Sequence, residues 1–312
     1  MKKYTLLYIL LLAMFIIFAN NPLFAQFVPQ SQMGLMNLGL SNPAYMCMDN
    51  ERFYASVSHQ RATPAIDGMP ETSFLNLQFK PKQLGIGMVV WHDKIGDFSN
   101  TMFQAGASYD IRLNKNSDLC FGLYGGFIRY TFDMNKAVFA NPNDPIKSVG
   151  INGNAIPLDF GLYYENRSKK GALYAMVAMK KVFPYQGVGE STFPMMFTGM
   201  IGSKGKVIDD DFLVNTALEI RKETTLSANL HGMVTYKDVV SLGLVLRADD
   251  LKPISTFGFQ AGCRFMNPEE DDCSVKVNMA FFFPSSAVLA TRSATTVVEI
   301  GLQVTMPKKG RR

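Results

Sequence analysis

The residues most able to do chemistry in this chain are three histidines, His59, His92 and His231, and four cysteines, Cys47, Cys120, Cys263 and Cys273. A hydrolase needs a histidine beside a nucleophile and an orienting carboxylate, and a zinc site needs close-set Cys or His pairs. Neither spacing occurs. No His-Glu-x-x-His, no phosphate-binding glycine loop and no nucleophile elbow is present. His92-Asp93-Lys94 is the closest approach to a catalytic polar cluster, and it reads as the point where a strand meets a solvated loop. Asp209–Asp211 and Glu269–Asp272 are acidic enough to attract Ca²⁺, yet neither has the spacing of a calcium loop, so each reads as a solvated turn. The expectation is a protein with no catalytic residue, no metal site and no cofactor. Cys263 and Cys273 flank "CRFMNPEEDDC" and suit either a disulfide in an oxidising compartment or two free thiols.

The elements around these residues have a period of two. "TSFLNLQFK" sets Leu75, Leu77 and Phe79 against Asn76 and Gln78. "TLSANLHGMVTY" sets Leu226, Leu230, Val234 and Tyr236 against Ser227, Asn229, His231 and Thr235. "DFLVNTALEI" and "TTVVEIGLQVTM" do the same, the latter with Ile300 and Leu302 opposite Glu299 and Gln303. Alternation of this length is a strand signal. It predicts about fourteen strands, many of about nine to twelve residues, where globular strands run five or six and a tilted membrane-spanning strand needs nine to eleven. The composition, with 24 Phe, 12 Tyr, 19 Met and 25 Gly, suits many strands better than a helical enzyme.

One apolar and one polar face on each long strand describes an all-β fold, a transmembrane antiparallel β-barrel of the outer membrane. With the N-terminus in the periplasm, short links such as "PKQ", "NKNS" and "YKD" fall mostly at one end. Longer ones, including "DKIGDFS" and residues 133–156, fall mostly at the other. Inward positions read as mostly Gly, Ser, Asn and Thr, with few charges such as Arg112, Lys276 and Glu299. Trp91, Tyr54, Tyr109, Tyr130, Tyr163 and Tyr164 lie near strand ends, where an interfacial girdle and lumen packing are both open.

The organisation follows. Residues 1–25, with Lys2, Lys3 and "YTLLYILLLAMFIIFA", read as a secretory signal cut near Ala25, an uncleaved anchor being the alternative. Residues 26–51 form a periplasmic N-terminal segment or plug, 52–306 the barrel and 307–312 a basic tail. A net charge of +5 with no basic stripe argues against nucleic acid as a partner.

Several stretches in register carry a resemblance. They are "AQFVPQSQMGLMNLGLSNPAYM" (25–46), "IDGMPETS" (66–73), "LGIGMVVWHDKIGDFSNT" (84–101), "YDIRLNKNSDLCFGLYGGF" (109–127), "NPNDPIK" (141–147), "GLYYEN" (161–166) and "GFQAG" (258–262). Together they resemble the PorP/SprF family, outer-membrane components of the type IX secretion system. The family usually has a small residue and Gly after Asn-Pro-Ala-Tyr, where this chain has Met46 and Cys47. The resemblance implies a non-enzymatic barrel seated in outer-membrane lipid. It would engage a periplasmic, peptidoglycan-associated lipoprotein and help export or retain a secreted cargo with a C-terminal sorting domain, such as a gliding adhesin. Asn42, Pro43, Ala44 and Tyr45 are then either a packed plug or a periplasmic docking surface. Asn141, Pro142, Asp144 and Pro145, in the longest outer loop, are candidate cargo contacts. The alternative function is an outer-membrane pore for small solutes.

Overall fold

The computed structural model of the chain describes residues 31–47, 51–63, 68–133, 152–182, 195–207, 211–223, 225–249, 254–265, 273–284 and 296–307. Residues 1–25, Glu269–Asp272, the loop residues Asn141, Pro142, Asp144 and Pro145, and the tail 308–312 lie outside them.

Among the described residues, fifteen strands follow in chain order. They are β1 (Glu51–Thr63), β2 (Glu71–Phe79), β3 (Leu84–Ile95), β4 (Phe98–Arg112) and β5 (Ser117–Phe132). Then come β6 (Asn152–Ala155), β7 (Leu158–Arg167), β8 (Gly171–Lys180), β9 (Met196–Val207) and β10 (Phe212–Lys222). The last are β11 (Leu226–Tyr236), β12 (Val240–Asp249), β13 (Thr256–Arg264), β14 (Ser274–Pro284) and β15 (Thr296–Pro307). All pairings among the described residues are antiparallel; they join chain neighbours except that β7 pairs β5 rather than β6, and β1 pairs β15 from Thr63↔Thr296 to Glu51↔Pro307, which closes a fourteen-strand ring. Hydrocarbon cannot satisfy an open strand edge, so closure is the condition for these strands to exist in lipid.

The extra strand is short and not foreseen. β6 shares one edge of β5 with β7, and the pairs Ile128↔Ala155 and Gly125↔Leu158 keep a single register. Pro157, which has no N–H to give, separates the two. The wall therefore resumes at Asn152, inside the stretch read from sequence as loop. The link between β3 and β4 is also tighter than "DKIGDFS" suggested. His92, Asp93 and Lys94 are strand residues paired with Thr101, Asn100 and Ser99, and Gly96 turns the chain at φ +60.

The alternation has the polarity of a membrane wall. Leu230 on β11 is 53% exposed while its neighbour Asn229 is 1% exposed. Ile300 on β15 is 52% exposed beside Glu299 at 0%. A chain folded in water buries the leucine and exposes the carboxylate. Trp91, Tyr54, Tyr130 and Tyr163 pack inward, whereas Tyr109 is exposed near the end that carries both barrel termini, the position of a girdle residue.

The lumen is more charged than the sequence reading held. Glu299 is buried, but Arg112 is largely exposed at the mouth, and Asp118, Asp159, Glu165, Lys181, Glu219 and Arg221 are also buried. They were missed because each sits alone in a polar face, and only strand pairing joins them. Lys204 meets Glu165 at 2.9 Å, Arg221 meets Glu219 at 2.8 Å, and Lys181 meets Glu223 at 3.2 Å.

A charge placed on the outer face tests this orientation. Leu230→Arg should lower the unfolding free energy by about 2–4 kcal/mol if Leu230 faces mid-bilayer lipid. Urea unfolding in lipid vesicles measures it, and stability equal to the parent protein would contradict the lipid-facing assignment.

Candidate functional site

The N-terminal segment enters the barrel and fills it. Residues 31–47 form three short 3-10 turns, Gly34–Met36, Leu38–Leu40 and Pro43–Cys47. Pro43 supplies a fixed φ at the start of the last turn. Asn42 stabilises the same turn, its Oδ1 accepting from the Ala44 N–H at 2.8 Å. The Asn42 amide then turns to the wall, donating to the Leu162 carbonyl at 2.9 Å and the Val177 carbonyl at 3.3 Å. These carbonyls belong to paired residues of β7 and β8, so the side chain is tied to the strand ladder itself.

Two facing glycines make room. Gly122 and Gly161 are partners across β5 and β7. A Cβ on Gly161 would lie 2.0 Å from Asn42 Oδ1, and one on Gly122 would lie 2.4 Å from the Pro43 carbonyl group. No side chain fits at either position while the turn occupies its seat.

Further anchors run along the segment. Glu299 accepts from the hydroxyls of Ser31 at 2.8 Å and Ser58 at 2.6 Å, and from the Gln32 N–H at 2.5 Å. Asn37 donates to Ser56 at 2.9 Å and accepts from Asn76 at 2.8 Å. Gln260 donates to the Gln32 carbonyl at 2.6 Å, and the Lys180 ammonium reaches the Leu40 carbonyl. Apolar residues divide among three clusters, each shared with the wall: Leu35, Leu38 and Ala44 with Tyr163, Tyr174 and Met200; Met46 with Trp91 and Tyr124; Met33 and Met36 with Val245 and Phe282. Cys47 is joined to Cys120 of β5 by a disulfide across 73 residues of sequence.

Asn42, Pro43 and Ala44 are fully buried, so the packed plug is the geometry this stretch adopts. Tyr45 keeps part of its surface and rests edge-on against Tyr163, ring centres 5.5 Å apart. Cys263 and Cys273, for which a disulfide and free thiols were both open, are free thiols. The Cys47–Cys120 bond is the pairing that sequence reasoning missed. Its signal was parity: Cys120 shares the inward face of β5 with Gly122 and Tyr124. The histidines are not brought together: His59 and His92 are exposed beside Ser73 and Thr101, while His231 is buried 3.4 Å from Glu219. Among the described residues no group of His, Cys, Asp and Glu has the geometry to hold a metal ion.

A closed fourteen-strand ring, apolar outside, polar inside and occupied by its own N-terminal segment, defines a plugged outer-membrane β-barrel. The family model described as type IX secretion system membrane protein PorP/SprF matches residues 23–293, and the chain belongs to that family. No curated protein matches the chain. Among solved structures it is similar to the CymD monoaromatic hydrocarbon channel, with a TM-score of 0.55 at 12% identity over 90% of this chain and 94% of that one. It is similar also to a deltaS2 mutant of the TodX monoaromatic hydrocarbon channel, with a TM-score of 0.52 at 9% identity over 87% and 94%. The P. putida toluene transporter TodX gives 0.50 at 9% over 88% and 95%. At these identities the likeness is one of fold.

Thiol chemistry and one side chain test the seat. The unreduced, denatured protein should take up maleimide at Cys263 and Cys273 only, and at all four cysteines after reduction. Four labels before reduction would remove the disulfide from the account. Asn42→Ala should lower stability by about 1–3 kcal/mol, because two buried carbonyls lose their extra donor. Urea midpoints in micelles read this, and an unchanged midpoint would mean that Asn42 is not a tether.

Proposed function

We propose that this barrel is a non-enzymatic interaction scaffold of type IX secretion rather than a conduit. With the terminal end in the periplasm, it engages a peptidoglycan-associated lipoprotein there. At the loop end it assists export or surface retention of a cargo protein with a C-terminal sorting domain, a gliding adhesin being one such cargo. The observation that carries this reading is the occupied lumen: a wall tied to its own plug by Asn42, Glu299 and a disulfide suits a rigid platform. Family membership supports the pathway. A pore for small solutes is the competing reading, and the same occupied lumen weighs against it.

On this reading Tyr45, the part-exposed member of the Asn-Pro-Ala-Tyr stretch, belongs to the periplasmic face. Asn141, Pro142, Asp144 and Pro145 belong to the cargo-facing loop, because a link of that length between wall strands is more often functional than not.

Deleting residues 136–150 leaves β5 and the β6 strand at Asn152–Ala155 intact. The variant should keep its folded-barrel migration on unheated gels while surface display of cargo falls severalfold. Unchanged display would remove the loop from the proposal. Purification of the tagged parent from outer membranes, followed by mass spectrometry, should recover a peptidoglycan-binding lipoprotein. A barrel recovered alone, yet conducting ions, would favour the pore.

A further inference from the structure

On the outer wall, toward the end that carries both barrel termini, the apolar surface is indented by a groove of about 550 Å³. Two neighbouring rows of cross-strand partners line it. Leu84, Tyr109, Phe121 and Leu162 form one row across β3, β4, β5 and β7, and Ala107, Leu123 and Phe160 the next across β4, β5 and β7. All of these side chains are exposed on the outer face. Ala107 leaves the gap, a methyl among rings and leucines. Part of the floor is the backbone of Gly122 and Gly161. The same two glycines seat the Asn42–Pro43 turn from inside, so the filled lumen holds the floor in place.

The rim beside the groove is basic. The turns β2–β3 (80–83), β4–β5 (113–116) and β7–β8 (168–170) lead into or out of the strands that line it. They hold Lys82, Lys115, Lys169 and Lys170, all exposed, and no Asp or Glu. The carboxylates at the adjoining strand ends are already engaged: Asp110 with Lys80 at 3.5 Å, Asp118 with Arg167, and Glu165 with Lys204 at 2.9 Å. The acidic runs Asp209–Asp211 and Glu269–Asp272 belong to the links after β9 and β13. Groove and turn are joined directly. The Tyr109 hydroxyl donates to Gln83 Oε1, next to Lys82, at 3.3 Å, and its ring lies 6.1 Å from that of Phe121, centre to centre. Lipid surrounds this face of a membrane barrel, and the geometry adds a choice among lipids. The molecule that answers it has a hydrocarbon tail and an anionic head at the bilayer boundary.

We propose that the groove and its basic turns form a seat for one anionic phospholipid. An acyl chain lies between Phe121, Leu123, Phe160 and Leu162, and the phosphate meets Lys82 and Lys115, with Tyr109 at the boundary. Lysines beside a membrane surface attract anionic headgroups, and the attraction fades within a Debye length, so the turns nearest the groove decide the choice. With the terminal end in the periplasm, the lipid belongs to the periplasmic leaflet. The seat lies outside the ring, on the other side of the wall from the Asn-Pro-Ala-Tyr turn, and does not depend on the secretion reading.

Native mass spectrometry of the full-length protein in mild detergent tests the seat. The protein is mixed with equal amounts of phosphatidylglycerol and phosphatidylcholine carrying the same acyl chains. The parent should retain one phosphatidylglycerol, at least about tenfold in preference to phosphatidylcholine. The double variant Lys82→Gln, Lys115→Gln, changed only in exposed turns, should retain the two lipids equally. Ala107→Trp, which fills the groove from the lipid side, should lose the retained lipid. Folded-barrel migration on unheated gels shows that each variant keeps its wall, and Ala107→Leu replaces Ala107→Trp if the latter does not fold. Equal retention of both lipids by the parent would mean that no headgroup is chosen. An unchanged preference in the double variant would remove the lysines, and unchanged retention in the folded Ala107 variant would remove the groove. A lipid-free dimer of the parent that the Ala107 variant abolishes would give the groove to a second copy of the chain. Any of these four results would overturn the proposal.

Discussion

A strand in hydrocarbon must give every backbone N–H and C=O to a neighbouring strand, and it must face its apolar side chains outward. Everything else in this barrel follows from that constraint. Closure through β1 and β15 removes the edges. Apolar residues outside leave the inner face of the wall to Asn, Gln, Ser, Thr and paired charges. A ring of fourteen strands is too wide for those side chains to fill, so its interior needs either water or more chain. Here the chain supplies its own filling, and residues 31–47 are to the wall what a core is to a globular domain. The polar inner face and the polar segment are two halves of one network.

The network is tied at widely separated places. Glu299 on β15 holds the start of the segment, Asn37 joins it to β1 and β2, and Asn42 and the Cys47–Cys120 bond hold its end against β5, β7 and β8. Because the ties reach so much of the ring, the segment acts as an internal brace as well as a stopper. The disulfide adds covalent insurance of about 2–4 kcal/mol in typical cases, chiefly by restricting the unfolded chain. The glycine pair Gly122 and Gly161 sets how close the brace can come.

What could be read from the sequence was what is local. Period-two alternation is visible within one strand, so the fourteen long strands and the inward or outward sense of Leu75, Asn76, Leu230 and Asn229 were legible. The β6 strand was not, since its four residues show no alternation of their own and it exists by pairing with β5. His92-Asp93-Lys94 misled because a strand that runs past the apolar belt carries polar residues, as a loop does. The site was harder still. Asn42 meets Leu162 across 120 positions, and Ser31 meets Glu299 across 268, distances at which no local pattern survives. The Asn-Pro-Ala-Tyr stretch was legible as a turn, and its seat was not. Cys120 lies on an inward face, but nearness in sequence points instead to Cys263 and Cys273, which are free thiols in the fold.

The account rests on a lumen closed by its own chain. The direct measurement is conductance across a planar lipid bilayer, for the oxidised full-length barrel and for a variant lacking residues 31–47. The account predicts no steady open level for the full-length protein and a persistent ohmic current for the variant, whose ring remains while its filling is gone. A steady current through the full-length protein, equal to that of the variant, would contradict it, because the segment would then not occupy the lumen in the membrane.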